Sequence, residues 1–321
     1  MKRPYVPKSF HQKKRSPKPR IIILRIFFLI FLGLVIWHGL GWGIKSISQI
    51  FLRVETVYSG VLEDKLAIKV YIAREEEVLA TPVTGTLISL VKEGERVPIG
   101  ATIARFLPVA NQSGEIKFKA PFSGQVSYQT DGLEKSLQPS SLRNLGYKEI
   151  KRLVSLAKPI TANGQVKAGT AVIRIVNNLA PIKLFTSIEN LPSGFKTGKR
   201  LKLEIPDIGK TYRAQIEHIQ KRGNSYDVIM EVATWDDLWL VPREMTLTAI
   251  VDYYSGIIVP ASAIIEGASG EKGVYILGVS NIEWKPVTVK GQIGEQVAVE
   301  GLETATEVIL TPHLARWIIN K

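Results

Sequence analysis

Thr81-Pro82-Val83-Thr84-Gly85-Thr86-Leu87 and Ala120-Pro121-Phe122-Ser123-Gly124-Gln125-Val126 are two copies of one pattern. A second pair follows each of them: Gly94-Glu95-Arg96-Val97-Pro98-Ile99-Gly100 answers to Asn163-Gly164-Gln165-Val166-Lys167-Ala168-Gly169. Each copy then runs into an apolar strand, at 101–105 and 170–174. The chemistry of the unit is local. Pro-x-x-Gly turns a strand, and the later Gly or Asn supplies a turn that needs positive φ. A half-unit of this kind cannot bury its apolar face alone, so the two are expected to pack face to face as a small sandwich. The copies are unequal: Gly85 and Gly100 lie 15 positions apart, Gly124 and Gly169 lie 45 apart. The extra residues of the second copy include 141–157 (SLRNLGYKEIKRLVSLA), the one stretch outside the N-terminal region with a helical period. Gly146 is expected to split it into two short helices, and Pro159 to end it through its restriction on Lys158.

Around the repeat the chain reads as β structure. Apolar and polar residues alternate at 66–72 (LAIKVYI), 86–91 (TLISLV), 171–176 (AVIRIV), 200–205 (RLKLEI) and 226–232 (YDVIMEV), with Gly, Pro, Asn and Asp between them. No cysteine is present, which excludes disulfides, thiolate metal sites and a Cys nucleophile.

The N-terminal region is different. Residues 26–44 (IFFLIFLGLVIWHGLGWGI) hold no Asp, Glu, Lys or Arg, and as a helix would span about 28 Å, close to the thickness of a bilayer core. Of the net charge of +13, eight units lie in residues 1–20 and one on Arg25, which leaves +4 for everything downstream. That is an ordinary surface, so nucleic acid is not expected as a partner. Arg25 can snorkel to headgroups on the basic side, and Trp37 and Trp42 suit the opposite interface. The charge bias places the N-terminus in the cytoplasm and the body outside. A cleaved signal peptide fits less well, because no small-x-small site follows the run and the run exceeds a usual signal core.

The repeat resembles the two half-motifs of lipoyl/biotinyl-like barrel-sandwich domains, and in an anchored, exported chain it is similar to the HlyD-type membrane fusion proteins, or periplasmic adaptors. Ile257-Ile258-Val259-Pro260-Ala261-Ser262-Ala263-Ile264 resembles the strand that opens the adaptors' membrane-proximal β domain. Apolar stretches at 273–277, 285–289, 297–302 and 307–310 follow in the family's order, and 180–255, with its Lys196-Thr197-Gly198 turn, resembles their β-barrel. The resemblance implies a mainly β chain: a basic tail at 1–20, a transmembrane helix at 21–44, and a barrel-sandwich hybrid at 45–179 with a helical insert at 131–160. A β-barrel at 180–255 and a membrane-proximal β domain at 256–321 would follow. One departure stands out. Adaptors that reach an outer-membrane channel carry a long α-hairpin between the half-motifs, whereas here residues 107–119, with Pro108, Asn111 and Gly114, are too few for a coiled coil.

Candidate chemistry is sparse. A carrier domain presents its modified lysine on a hairpin, but Lys117 and Lys119 sit in an apparent strand. His11, His38, His218 and His313 are scattered and make no metal motif, and Gly-x-Ser-x-Gly and phosphate-binding glycine loops are absent, so Ser262 reads as part of a strand entry. Trp235-Asp236-Asp237-Leu238-Trp239 has two readings: a sugar or peptide contact, or a cap on the barrel's open end. Glu75-Glu76-Glu77 reads as a solvated strand edge that discourages edge pairing. No catalytic, cofactor-binding or metal-binding residue is therefore assigned, and no cofactor or enzymatic activity is expected. The resemblance implies an adaptor that meets lipid through 21–44 and assembles with a membrane transporter, or another envelope complex, and with copies of itself. The alternative is a cell-envelope scaffold for wall synthesis or division with no transport role.

Overall fold

The protein is described here from a computed structural model, which covers residues 28–33, 52–109, 114–161, 164–267, 269–278 and 281–319. The described chain is mainly β and divides into two compact units, Leu62–Tyr254 and the remainder on either side of it, with the divisions falling inside two long strands. Of the span expected at 21–44, residues 28–33 are described and are helical; the rest of it, and the basic tail at 1–20, lie outside the described residues. Among the described residues no helix is long and apolar enough to cross a membrane.

In chain order the first strands are β1 (Val54–Val57) and β2 (Ser59–Ala73). The first half-unit of the repeat then forms β3 (Glu76–Ala80), β4 (Gly85–Ser89), β5 (Arg96–Val97) and β6 (Thr102–Pro108). The second half-unit supplies β7 (Ile116–Lys119), β8 (Gly124–Ser127) and β9 (Gln129–Thr130), followed by the insert with helix α1 (Tyr147–Leu156) and, at its end, β10 (Ile160–Thr161). It resumes with β11 (Gly164–Val166) and β12 (Ala171–Val176).

The half-units do more than stack face to face. One sheet has the order β11-β4-β6-β7 and the other β3-β12-β8-β5, so each contains two adjacent strands of one half flanked by strands of the other. The two halves interlock about a pseudo-twofold, and equivalent contacts repeat. The Gly100 amide donates to the Ala120 carbonyl (2.8 Å), and the Gly169 amide donates to that of Thr81 (2.7 Å). The repeat glycines explain why the pattern has to be this one. A Cβ on Gly85 would lie 2.3 Å from the Leu107 carbonyl oxygen, and one on Gly124 would lie 2.4 Å from that of Val176. The later glycines, Gly94, Gly100, Gly164 and Gly169, all have positive φ. Phe106, Ile103, Val126, Ile173 and Ile175 fill the space between the sheets. Gly124→Ala is expected to cost about 1–3 kcal/mol, since backbone must move to admit the methyl group; the shift in urea midpoint measures it.

The barrel is built from β2 together with β13 (Ile182–Ile188), β14 (Arg200–Ile205), β15 (Lys210–Arg222), β16 (Ser225–Val232) and β17 (Glu244–Pro260). Strand order β14-β15-β16-β13-β2-β17 closes on itself where Leu203 of β14 pairs with Ala249 of β17. Closure leaves no free edge. Residues 62–73, expected within the first domain, thus belong to the barrel: 71–73 pair with β13, and Ile68, Val70 and Ile72 enter the barrel core. Alternation explains both faces of the wall. Ile72, Leu184 and Val228 point inward, while Tyr71, Phe185 and Ile229 point outward and are covered by Leu133, Leu137, Leu142 and Ile150 of the insert. A strand covered on both sides loses its polar alternation, which is why the alternation of 66–70 gives way to the apolar run 70–73 at the end of β2.

Only the second half of the expected helical pair is helical. Residues 141–144 form turns, Gly146 is extended as the N-cap, and α1 ends at Leu156 before Ala157 becomes extended ahead of Pro159.

The second unit holds a sheet of order β1-β23-β19-β18, with β18 (Ile265–Glu266), β19 (Lys272–Leu277) and β23 (Thr306–Ile309), and with β20 (Ile282–Pro286) beside β19. β21 (Thr288–Ile293) and β22 (Gln296–Glu300) pair together, and β22 also pairs with the end of β17. Val57, Val259, Val274, Val299 and Val308 form its core, and helix α2 (Pro312–Ile319) closes the chain. Residues 54–57, expected with the first domain, pair with 306–309 instead.

Candidate functional site

The connection from β2 to β3 carries the chain out of the barrel and into the sandwich, and β12 carries it back. Both crossings bear a buried charge. Arg74 and Glu76 flank the first crossing, and Arg174 lies on β12 between Ile173 and Ile175 of the sandwich core, hence on the opposite face of that sheet. Asp131 opens the insert, and Arg243 precedes β17. All five are buried, with Arg74 fully so.

Their contacts form one network. The Arg243 guanidinium grips Asp131 with two hydrogen bonds, from Nε to Oδ2 (2.6 Å) and from Nη2 to Oδ1 (2.9 Å), and also meets Glu76 at 2.5 Å. Glu76 lies 3.4 Å from Arg74 and 3.6 Å from Arg174, and Arg174 lies 3.6 Å from Asp131. Two further guanidinium nitrogens turn to the backbone of the loop before β17. Arg74 Nη1 donates to the carbonyls of Trp239 and Pro242, and Arg174 Nη2 donates to that of Leu240 (2.8 Å). Burial is the first influence on the three arginines and on Asp131. It pushes the Arg74 guanidinium down to about 9 against the pull of Glu76, and it lowers Arg174 as well. For Arg243, burial is outweighed by Asp131 and Glu76, and the net direction is upward. For Asp131, burial acts to raise the carboxyl, but the Arg243 hydrogen bonds and charge hold it below its ordinary 3.8.

That depression makes stability depend on acid. Asp131 is ionised in the folded protein at lower pH than in the unfolded chain, so its contribution is complete above the ordinary value and is lost as pH falls through the folded one. The urea midpoint of the wild type should therefore approach that of Asp131→Asn as pH drops below about 4.

The loop over 235–243 completes the joint. Trp239 is buried in the barrel core against Tyr212, ring centroids 4.7 Å apart. Trp235 donates from its indole nitrogen to Gln125 Oε1 (2.8 Å), and Gln125 Nε2 donates to Asp237 Oδ1 (2.8 Å) and to the Gly94 carbonyl. Asp236 caps a 3-10 turn over Asp237–Trp239 by accepting from the Leu238 amide, and it pairs with Lys210. Of the two readings of this segment, its side chains match the cap, and they also tie the barrel to the outer face of the β8 sheet.

The other sequence candidates do not converge. Lys117 and Lys119 lie on β7, opposite Arg105 and Thr102, away from a hairpin tip. His218 sits at an irregularity of β15, His313 is exposed on α2, and His11 and His38 lie outside the described residues. Ser262 is exposed in a 3-10 turn at Ala261–Ala263. Among the described residues no group of three or more His, Asp or Glu is arranged to hold a metal ion. Glu76 corrects one expectation: Glu75 and Glu77 are exposed, but the residue between them is buried under three arginines. The missed residues had one visible signal, an arginine inside the apolar strand AVIRIV.

Residues 76–177 match the family model described as RND related, barrel-sandwich hybrid domain. Over this segment the chain is similar to the RND-related barrel-sandwich hybrids. At this domain the resemblance to membrane fusion proteins read from the repeat is borne out. The match begins at Glu76 and ends one residue beyond β12, so the ion network lies where the hybrid joins the barrel. No curated protein matches the sequence. Among solved structures the chain is similar to ZneB of Cupriavidus metallidurans, at 14% identity over 81% of this chain and 92% of that one, TM-score 0.32. It is similar to a putative efflux transporter of Bacteroides eggerthii, at 17% identity over 75% and 87%, TM-score 0.36. A third likeness is to MacA of Actinobacillus actinomycetemcomitans, at 12% identity over 80% and 98%, TM-score 0.35.

Proposed function

We propose that this protein is a non-catalytic, membrane-anchored adaptor that assembles with a transporter for efflux or secretion. The observation that carries this reading is the match of 76–177 to the RND-related barrel-sandwich hybrid, set in a chain with an apolar segment at 26–44. In this reading residues 21–44 cross the bilayer with the N-terminus in the cytoplasm, and the β domains act outside. The adaptor has a short reach. β6 ends at Pro108 and β7 starts at Ile116, which leaves seven residues where a long hairpin would stand. Such a protein works close to its own membrane, and the ion network supports the role by fixing hybrid to barrel.

The short hairpin also favours a second reading, an envelope scaffold for wall synthesis or division that moves no substrate. Affinity purification of the full chain from membranes separates them. Recovery of transporter subunits is expected; recovery of wall-synthesis or division proteins without any transporter would overturn the adaptor reading.

A further inference from the structure

The insert sorts its charges by side. Its acids Asp131 and Glu134 are buried, Asp131 against Arg243 and Glu134 accepting the Asp131 amide at 2.8 Å. Its cations point the other way: Lys135, Lys148, Lys151, Arg152 and Lys158 are exposed, and none makes an ion pair with a described residue. Glu149 is the one exposed acid of the insert.

On α1 the cations follow the helix period. Lys148, Lys151, Arg152 and Ser155 form a stripe about 10 Å long, opposite the Ile150 face that packs on the barrel wall. Leu156 stands beside the stripe at 65% exposure, and Ile160 follows at 44%. At the N-terminal end the β15–β16 hairpin adds exposed Lys221. Arg222 of that hairpin is paired with Asp227, and Arg143 of the insert with Glu217. The five insert cations and Lys221 thus make six exposed cations with no ion pair to a described residue, against the single exposed acid Glu149.

We propose that this basic face of the insert docks an acidic segment of a partner protein, its carboxylates on the stripe and an apolar side chain on Leu156 and Ile160. The inference deepens the adaptor reading, and rests on it, by naming the chemistry of the partner. A bilayer surface fits less well. A helix that lies in a membrane interface buries its own apolar face there, and here that face is spent on the barrel. Two exposed apolar residues beside a narrow cationic stripe match the width of one peptide segment, and opposite charges across such a contact set specificity and association rate.

The test uses the full chain in detergent and in cells. A Glu/Leu-rich peptide is titrated against the wild type and against Lys148→Glu, Lys151→Glu, Arg152→Glu, Lys158→Glu combined. Binding that weakens on the order of tenfold or more in the variant, and that falls steeply with salt, is expected. An unchanged urea midpoint shows that the variant folds; if it does not fold, the same four positions as Gln replace it. In cells, a photo-crosslinker at Ser155 should map to an acidic stretch of another protein. Equal peptide binding by both forms, crosslinks to lipid alone, or binding to phosphatidylglycerol vesicles without binding to the peptide would overturn the proposal. The two readings fail separately. Transporter recovery without a Ser155 adduct sinks the docking face and leaves the adaptor. An acidic-segment adduct without any transporter sinks the adaptor and leaves the face.

Discussion

Arg243→Met is expected to destabilise Leu62–Tyr254 by about 3–5 kcal/mol, the range for stripping one partner from a buried ion pair. The cause is what remains rather than what leaves. Arg243 is the only network member that hydrogen-bonds Asp131 through its side chain and also meets Glu76 at 2.5 Å. Without it Asp131 keeps the Leu133 amide (2.9 Å) but only Arg174, at 3.6 Å, as a countercharge, and Glu76 keeps contacts of 3.4 and 3.6 Å. Two buried carboxylates then lack close countercharges. Methionine preserves much of the volume, so the loss reports charge and not a cavity. A paired control follows: Arg243→Met with Asp131→Leu should recover part of the loss, because the abandoned carboxylate goes with its partner. Urea denaturation measures the size. Hydrogen exchange tests the location, with protection lost first in the insert and the 235–243 loop. Equal destabilisation of the single and double variants, with exchange unaltered at the joint, would refute the network as its origin.

Trp239→Ala should cost a similar amount, about 3–5 kcal/mol, by a different mechanism. The indole fills the barrel core against Tyr212, and its removal leaves a void that a closed barrel cannot collapse around. The loop that carries Trp239 also presents the carbonyls that receive Arg74 and Arg174, so the void loosens the network. The conservative variant separates ring from nitrogen. The Trp239 indole N–H is buried without a hydrogen-bond acceptor among the described residues, so Trp239→Phe keeps an aromatic ring in the core and discards an unsatisfied donor. Phe is smaller than Trp and leaves a small void, so the change should cost about 1–2 kcal/mol, well below the loss of the whole ring. A Trp239→Phe loss as large as that of Trp239→Ala would mean that the indole nitrogen has a role of its own.

The sandwich was legible because its constraints are local. Gly85 and Gly124 stand where strands pass too close for a Cβ, and Gly100 and Gly169 where φ is positive, so the repeat in sequence is the pseudo-twofold in space. The strand at 200–205 was legible for the same reason, since RLKLEI alternates and its Leu201, Leu203 and Ile205 face the barrel core. Less was visible where an element is buried twice. The strand at 66–72 alternates as any β-strand would and is expected with the sandwich, and only the pairing of its end with β13 assigns it to the barrel. The first part of the insert has helical spacing over 141–145 but folds as turns, because Leu142 is held in the outer barrel cluster and Gly146 starts the helix anew.

The sequence by itself determined the β character, the paired half-units, the short link between them and the apolar segment near the N-terminus. Each follows from composition, period or the sterics of single residues. Tertiary structure decided that the half-units interlock, that the insert leans on the barrel, and that Arg74, Glu76, Asp131, Arg174 and Arg243 share one buried site. Arg243 and Asp131 are 112 positions apart. No local period marks such a pair, because a charge becomes a partner only when the fold removes both from water and leaves them facing each other.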